Sequence, residues 1–324
     1  MKYKHFVFLL FFLLTSCVTE VEFEAKDTEP QLVVNAIAEV GQPLNVSLTY
    51  STPIFSNKTN EYGYTIIKDA EVTLTINGNS EQLSYNSFSR QYESTHIIQY
   101  SDSLNLTVIT RQKTASASIR VIDEAVTIDK TDFITDNRLG VFDYTEEHIV
   151  NYWYMYATLC ITFSDPSDKN NYYLADYYGN LYTTGTNDTI KTTVEWFNFE
   201  QGLSENSSEL DLSDNFSSTD NRVFADDIYN GKTIRITKDA YFFVYRTYSD
   251  EKDSQMTVDS LIIDYSLYNI DRQLYLYLQT ANSNQLSSGF FSLFAEPVQV
   301  YTNIEGGMGI FASMARTTKR ERIF

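Results

Sequence analysis

From Gln31 onward, apolar and polar residues alternate with a period of two. Leu32-Val33-Val34-Asn35-Ala36-Ile37 opens the pattern, and Gly41-Gln42-Pro43 interrupts it. Leu44, Val46 and Leu48 then alternate with Asn45, Ser47 and Thr49, and Ala70, Val72, Leu74 and Ile76 with Glu71, Thr73 and Thr75. Asn77-Gly78 follows at once; both residues tolerate positive φ, so the pair reads as a two-residue hairpin turn. Leu104, Leu106 and Val108 form another alternating strand, and Ile119-Arg120-Val121-Ile122 another. Short half-buried strands at this spacing predict an N-terminal β-sandwich over residues 30–123, immunoglobulin-like or transthyretin-like.

Residues 123–148 are more polar and less regular, which places a boundary there and a larger β-rich domain over 124–316. Its strongest strand carries Trp153, Met155, Ala157, Leu159, Ile161 and Phe163 on one face, which reads as core. Tyr152, Tyr154, Tyr156, Thr158, Cys160 and Thr162 occupy the other face, and Asp165-Pro166 ends the strand. Further strands are expected over 172–178, 192–199, 233–237, 242–248 and 256–265, with a polar loop over 201–221. One helix is predicted: Ser266 is a suitable N-cap, and Ile270, Leu274, Tyr277, Leu278 and Ala281 share a helical face that ends near Asn282 or Asn284. Val298, Val300 and Tyr301 then suggest a strand, Gly306-Gly307-Met308-Gly309 a turn into the last one, and residues 317–324 a frayed basic tail. The fold class is mainly β, with one packed helix near the C-terminus.

The N-terminus has a different pattern. Lys2 and Lys4 precede an unbroken apolar run from Phe6 to Leu14, followed by Leu14-Thr15-Ser16-Cys17. The run is far short of the ~20 residues needed to span a bilayer. It reads as a signal peptide, residues 1–16, with a lipobox that makes Cys17 the lipidated first residue of the exported chain. Two or three acyl chains anchor stably where one is marginal. Residues 17–29 form an acidic tether, and Val18 behind the cysteine disfavours inner-membrane retention. Glu20, Glu22 and Glu24 resemble the export tag that sends lipoproteins of the Bacteroidota to the cell surface. The expected location is therefore the outer membrane, surface-exposed, with the periplasmic face as the alternative.

Composition narrows the function classes. The net charge is −19, which repels nucleic acid and anionic head groups, so nucleic acid is not an expected partner. Only two cysteines are present, and with Cys17 acylated Cys160 has no disulfide partner. It reads as an inert, covered thiol, with no basic partner evident in the sequence. His96 and His148 are the only histidines after the leader, little material for a zinc site or a histidine-based triad. Twenty-five tyrosines and 21 phenylalanines favour pleated, half-buried surfaces.

Several segments carry a family resemblance: the lipobox with its acidic stretch, Pro30 to Ala36 with Gly41-Gln42-Pro43, and Asp69 to Leu74. Phe163-Ser164-Asp165-Pro166 with Asn171-Tyr172-Tyr173 follows, then Phe224-Ala225-Asp226-Asp227 with Asn230-Gly231-Lys232, and finally Glu296 to Phe311. In this order the chain resembles, nearly end to end, the Bacteroidota lipoprotein family catalogued as domain of unknown function 4249. The resemblance implies an outer-membrane lipoprotein of the kind often encoded beside TonB-dependent transporters, and so a role in nutrient capture or transporter assembly. It supplies no catalytic residue.

The remaining motifs are weak. Glu305-Gly306-Gly307-Met308-Gly309 lacks the Lys-Ser/Thr and the strand-to-helix context of a phosphate cradle, and reads as a turn. Asp211, Asp214 and Asp220, like Asp250, Glu251 and Asp253, fit no calcium loop and read as solvated acids. Asp226 and Asp227 are adjacent on a strand and so point apart, a poor glycosidase pair. Asp102-Ser103-Leu104, Asp188-Thr189-Ile190 and Asp259-Ser260-Leu261 resemble a short O-glycosylation signal. Tyr152, Tyr154 and Tyr156, with Tyr172, Tyr173, Tyr177 and Tyr178, form a candidate sugar- or partner-binding platform, the alternative being a second packing layer. The expectation is thus no catalytic residue, no cofactor and no metal. The first functional expectation is a non-enzymatic accessory or ligand-binding component of a TonB-dependent uptake system. The alternatives are a free-standing structural or adhesive surface protein and, below that, a carboxylate-based hydrolase.

Overall fold

The computed structural model describes residues 29–51, 65–135, 143–144, 149–185, 189–193, 210–211, 223–227, 229–248, 256–286 and 299–324. Of these, 143–144, 149–154, 183–185, 189–193, 210–211, 243–248, 256–258 and 282–286 are described by backbone alone. Residues 1–28, with the expected leader and Cys17, and the acidic stretches 212–220 and 249–255 lie outside the described residues.

The first strands are β1 (Leu32–Glu39), β2 (Pro43–Tyr50), β3 (Thr65–Ile66), β4 (Glu71–Ile76), β5 (Asn79–Gln82) and β6 (Ser84–Asn86). Next come β7 (Gln91–Ile97), β8 (Ser103–Ile109), β9 (Thr114–Arg120), β10 (Lys130–Thr135), β11 (Asp143–Tyr144) and β12 (Ile149–Ser164). Then follow β13 (Tyr172–Gly185), β14 (Thr189–Thr193), β15 (Leu210–Asp211), β16 (Val223–Ala225), β17 (Thr233–Tyr248) and β18 (Met256–Ile270). Helix α1 (Arg272–Leu286) and β19 (Met308–Arg322) complete the described chain. It is mainly β, arranged as sandwiches.

A 10-stranded sheet runs in the order β14-β13-β18-β19-β1-β2-β7-β6, with β16 on β13 and β3 on β2. At one end it faces the four-stranded sheet β5-β4-β8-β9, and at the other the five-stranded sheet built on β10-β12-β17. Alternate residues fill each interior. Leu32, Val34, Leu44, Val46, Leu74, Leu104 and Leu106 belong to the first cluster, and Leu159, Ile161, Phe163, Phe242, Ile263, Tyr265 and Leu267 to the second. The Asn77-Gly78 turn forms as read, with φ of 50° and 89°, and Asn77 Nδ2 donates to Asp102 Oδ1 at 2.8 Å.

The last strand joins the two halves. β19 lies between β1, which it meets in parallel from Val33↔Met308 to Glu39↔Met314, and β18, which it meets antiparallel from Ile270↔Met314 to Ile262↔Arg322. Phe311 and Ile304 belong to the first core. A boundary near residue 123 therefore leaves the first sandwich without a strand supplied from the other end of the chain. The segment 317–324 is not a frayed tail either, because β19 continues to Arg322. Two basic residues of β19 are paired across the sheet: Arg320 donates to both oxygens of Asp264 at 2.6 and 2.7 Å, and Arg316, just before this segment, meets Glu39 at 3.0 Å.

The helix begins later than its pattern suggests. Ser266 lies within β18, opposite Thr318, so the sheet ladder claims it. Asp271 caps α1 instead, its Oδ1 accepting the Leu274 N–H at 2.8 Å. Its Oδ2 accepts the Ser313 N–H at 2.6 Å and the Ser313 hydroxyl at 3.1 Å. Leu274 packs with Ile270, Ile310 and Ala312 on the sheet face away from the second core. Residues 299–304 form no strand, and the Tyr301 N–H donates to Thr280 Oγ1 at 2.9 Å.

Burial pushes the Asp271 carboxyl up to about 6, against the opposing effect of the Leu274 and Ser313 donors. The neutral form is thus favoured by folding. The stability it confers is complete below the ordinary value near 3.8 and is lost as pH rises through about 6. That span is worth about 3 kcal/mol at most. Asp271→Asn, measured by denaturant unfolding, should have its stability deficit shrink between about pH 4 and 7.5 by up to this amount. A deficit independent of pH would disprove the assignment.

Candidate functional site: an aromatic ladder on the second sandwich

The candidate face is the outer side of the sheet formed by β10, β12 and β17. β12 and β17 pair over their whole length, with Tyr152 opposite Tyr245, Tyr154 opposite Phe243, and Tyr156 opposite Tyr241. Strand alternation puts these six positions on one face. At the described pair, the Tyr156 and Tyr241 rings lie 4.7 Å apart, tilted by 37°, and Tyr156 is 38% exposed. The side chains of Tyr152, Tyr154, Phe243 and Tyr245 lie outside the described residues, so their place on the ladder rests on backbone register.

Below the rings the same face becomes polar. Thr158 donates to Asp239 at 2.7 Å, Ile134 is 51% exposed beside them, and Asp132 is held by Lys130 at 2.8 Å. Arg235 reaches Asp132 at 3.9 Å and donates to Cys160 Sγ at 3.3 Å. Cys160 therefore does have a basic neighbour, which long-range strand pairing brings from β17. It is fully buried all the same. An aromatic strip flanked by hydrogen-bonding groups can stack on the apolar face of a sugar ring or on an aromatic side chain of a partner.

The other tyrosines do not join this platform. Tyr173 and Tyr177 are core residues of β13, and Tyr172 packs against Tyr275 of α1 at 4.9 Å. Tyr178, 42% exposed, stands on β13 in the other sheet. Conversely, Tyr241, Phe243 and Tyr245 were missed from the sequence, though their alternation with Phe242 and Val244 in a second apolar strand was the available signal.

A second constellation also comes from long-range contact. Asp226 is fully buried, and its partner is not the exposed Asp227 but the loop after β12. Asn171 N–H donates to Asp226 Oδ2 at 2.9 Å, while Asp165 accepts from the Tyr173 hydroxyl at 2.5 Å and from Gly231 N–H at 2.8 Å. Two segments about 60 residues apart thus meet in one buried polar node.

The glycine run is a close-packed turn. A Cβ on Gly306 would lie 2.3 Å from Thr114 O, one on Gly307 2.7 Å from Leu32 O, and one on Gly309 2.1 Å from Val34 O. The run is thus pressed against the backbones of β1 and β9. Of the glycosylation-like motifs, Ser103 is exposed, Ser260 is buried, and the Thr189 side chain lies outside the described residues.

An open groove of about 430 Å³ beside the β6–β7 hairpin is lined by Glu81 and Glu93 among others. Burial alone raises the Glu81 carboxyl, but donors from Thr95, Ser94 and His96 together bring it below the usual range. Ser89 and Asn86 lower Glu93 likewise. A general acid needs the opposite shift, so neither suits that role.

No curated protein and no solved structure matches the chain. A family model described as Domain of unknown function (DUF4249) matches residues 18–320, and the protein belongs to that family.

Proposed function

We propose that this protein is a non-enzymatic, lipid-anchored accessory or ligand-binding component of a TonB-dependent nutrient uptake system at the outer membrane. The Tyr156–Tyr241 pair within the cross-strand ladder carries the reading, because stacked, partly exposed aromatics on a rigid sheet are a pre-organised contact surface. The leader and Cys17 supply the anchor. The alternative is an adhesive or structural surface protein, favoured by the flatness of a strand face as against a pocket.

Affinity capture from gently solubilised outer membranes is expected to bring down a TonB-dependent transporter in stoichiometric amount. The double variant Tyr156→Ala/Tyr241→Ala should weaken binding of that partner by about tenfold or more with little change in Tm. The uptake reading fails if no transporter co-purifies and deletion of the gene leaves uptake unchanged. Direct binding to glycans or host proteins in that case would support the adhesive reading.

A further inference from the structure

The buried node between residues 165–171 and 226–231 has the makings of an ion site. Asn171 Nδ2 stands near four oxygens at once: Lys169 O at 3.2 Å, Asp165 Oδ1 and Pro166 O at 3.4 Å, and Asp226 Oδ2 at 3.5 Å. An amide nitrogen has two hydrogens to give, and good N–H···O bonds are about 2.7–3.2 Å long. The amide therefore sits amid an oxygen-lined space that it does not satisfy. Asp226 Oδ1 makes no hydrogen bond, although Asp226 is 0% exposed. Among the described residues neither Asp165 nor Asp226 forms an ion pair; the lysine of this loop, Lys169, is turned to Glu124 at 2.8 Å. A buried carboxylate oxygen without a partner is costly, and a second carboxylate beside it adds to the cost.

The geometry points to a calcium-binding site formed by Asp165, Asn171 and Asp226 with the carbonyl oxygens of Pro166 and Lys169. Turning the Asn171 amide over exchanges its nitrogen for Oδ1, so five residues offer oxygen alone. Calcium takes six to eight oxygens at about 2.3–2.6 Å, accepts mixed carboxylate and carbonyl ligands, and tolerates irregular geometry; magnesium demands a tighter octahedron. After that turn the Asn171 oxygen would stand 3.2–3.5 Å from the other four, which is the spacing of neighbouring ligands around an ion about 2.4 Å from each; using both oxygens of Asp226 gives six, with water completing the shell. The Tyr173 hydroxyl and the Gly231 N–H already orient Asp165 from outside the site. Burial raises the Asp226 carboxyl, with Asp165 and Asp227 adding to the effect, and a bound cation would relieve it. Such an ion would cross-link the turns that lead into β13 and β17.

The test is calorimetric titration of the EDTA-stripped protein with calcium chloride at about 150 mM salt, where diffuse attraction to an acidic surface is screened. One saturable site is expected, with magnesium bound at least about tenfold more weakly and Tm raised by about 3 °C or more at millimolar calcium. Asp226→Asn should lose about tenfold or more in affinity, and Asn171→Asp, which adds a carboxylate, should gain. Asp253→Asn, in a separate acidic segment, should bind as the parent does. Absence of saturable binding by the folded parent protein, or parent-like affinity in Asp226→Asn, would overturn the site. If Asp226→Asn does not fold, unchanged affinity in Asn171→Asp overturns it instead.

Discussion

Removing residues 308–324 is expected to abolish cooperative folding of the whole chain, not only of its C-terminal half. β19 supplies seven parallel register pairs to β1 and nine antiparallel pairs to β18, and no other strand occupies that place in the sheet order. Without it both neighbours become open edges in the middle of the molecule. Phe311 is fully buried in the first core, and truncating one such side chain costs about 3–5 kcal/mol. Ile310, Ala312 and Ala315 are lost with it, and total stabilities are only about 5–15 kcal/mol. Near-ultraviolet circular dichroism and thermal unfolding of the truncated chain would test this. A cooperative transition retained by residues 30–123 would show the first sandwich to be self-sufficient. One consequence is kinetic: β1 cannot acquire its parallel neighbour until the last residues of the chain are available.

Gly309→Ala is the point substitution with the largest expected cost. Gly309 has φ of 102°, and an added Cβ would stand 2.1 Å from Val34 O and 2.8 Å from Asn35 Oδ1. Relief by side-chain rotation is closed off, because the first of these atoms is backbone within the β1–β19 ladder. The ladder must open there, at a cost above about 4 kcal/mol. Gly78→Ala is the matched control: its φ is 89°, but nothing lies within 4 Å of the new Cβ, so only backbone strain of about 1–2 kcal/mol remains. Denaturant unfolding of both variants measures the difference, and equal costs would mean that steric contact with Val34 is not the cause.

Where local pattern decides a structure, the sequence sufficed. Period-two alternation marked β1, β2, β4, β8 and β12, because a strand with one face in the core must alternate. The Asn77-Gly78 turn followed from the residues' own tolerance of positive φ. The mainly β class and the presence of one packed helix among the described residues came from the same local rules. What depends on partners distant in sequence was settled only by the tertiary structure. Ser266 has the chemistry of a helix cap, yet pairing with Thr318 holds it in a strand and passes the cap to Asp271. Arg316, Arg320 and Arg322 look solvated in isolation, and become strand residues because Glu39 and Asp264 face two of them across the sheet. Tyr156 was visible as half of an aromatic face, but Tyr241 entered only through the β12–β17 register. Asp226 looked like half of a poor pair with its neighbour, until folding brought Asp165 and Asn171 to it from some 60 residues away. The physical reason is common to all four cases. Backbone preference and hydrophobic alternation act over a few residues and are written in order along the chain, whereas cross-strand register and the meeting of loops depend on closing the whole sheet.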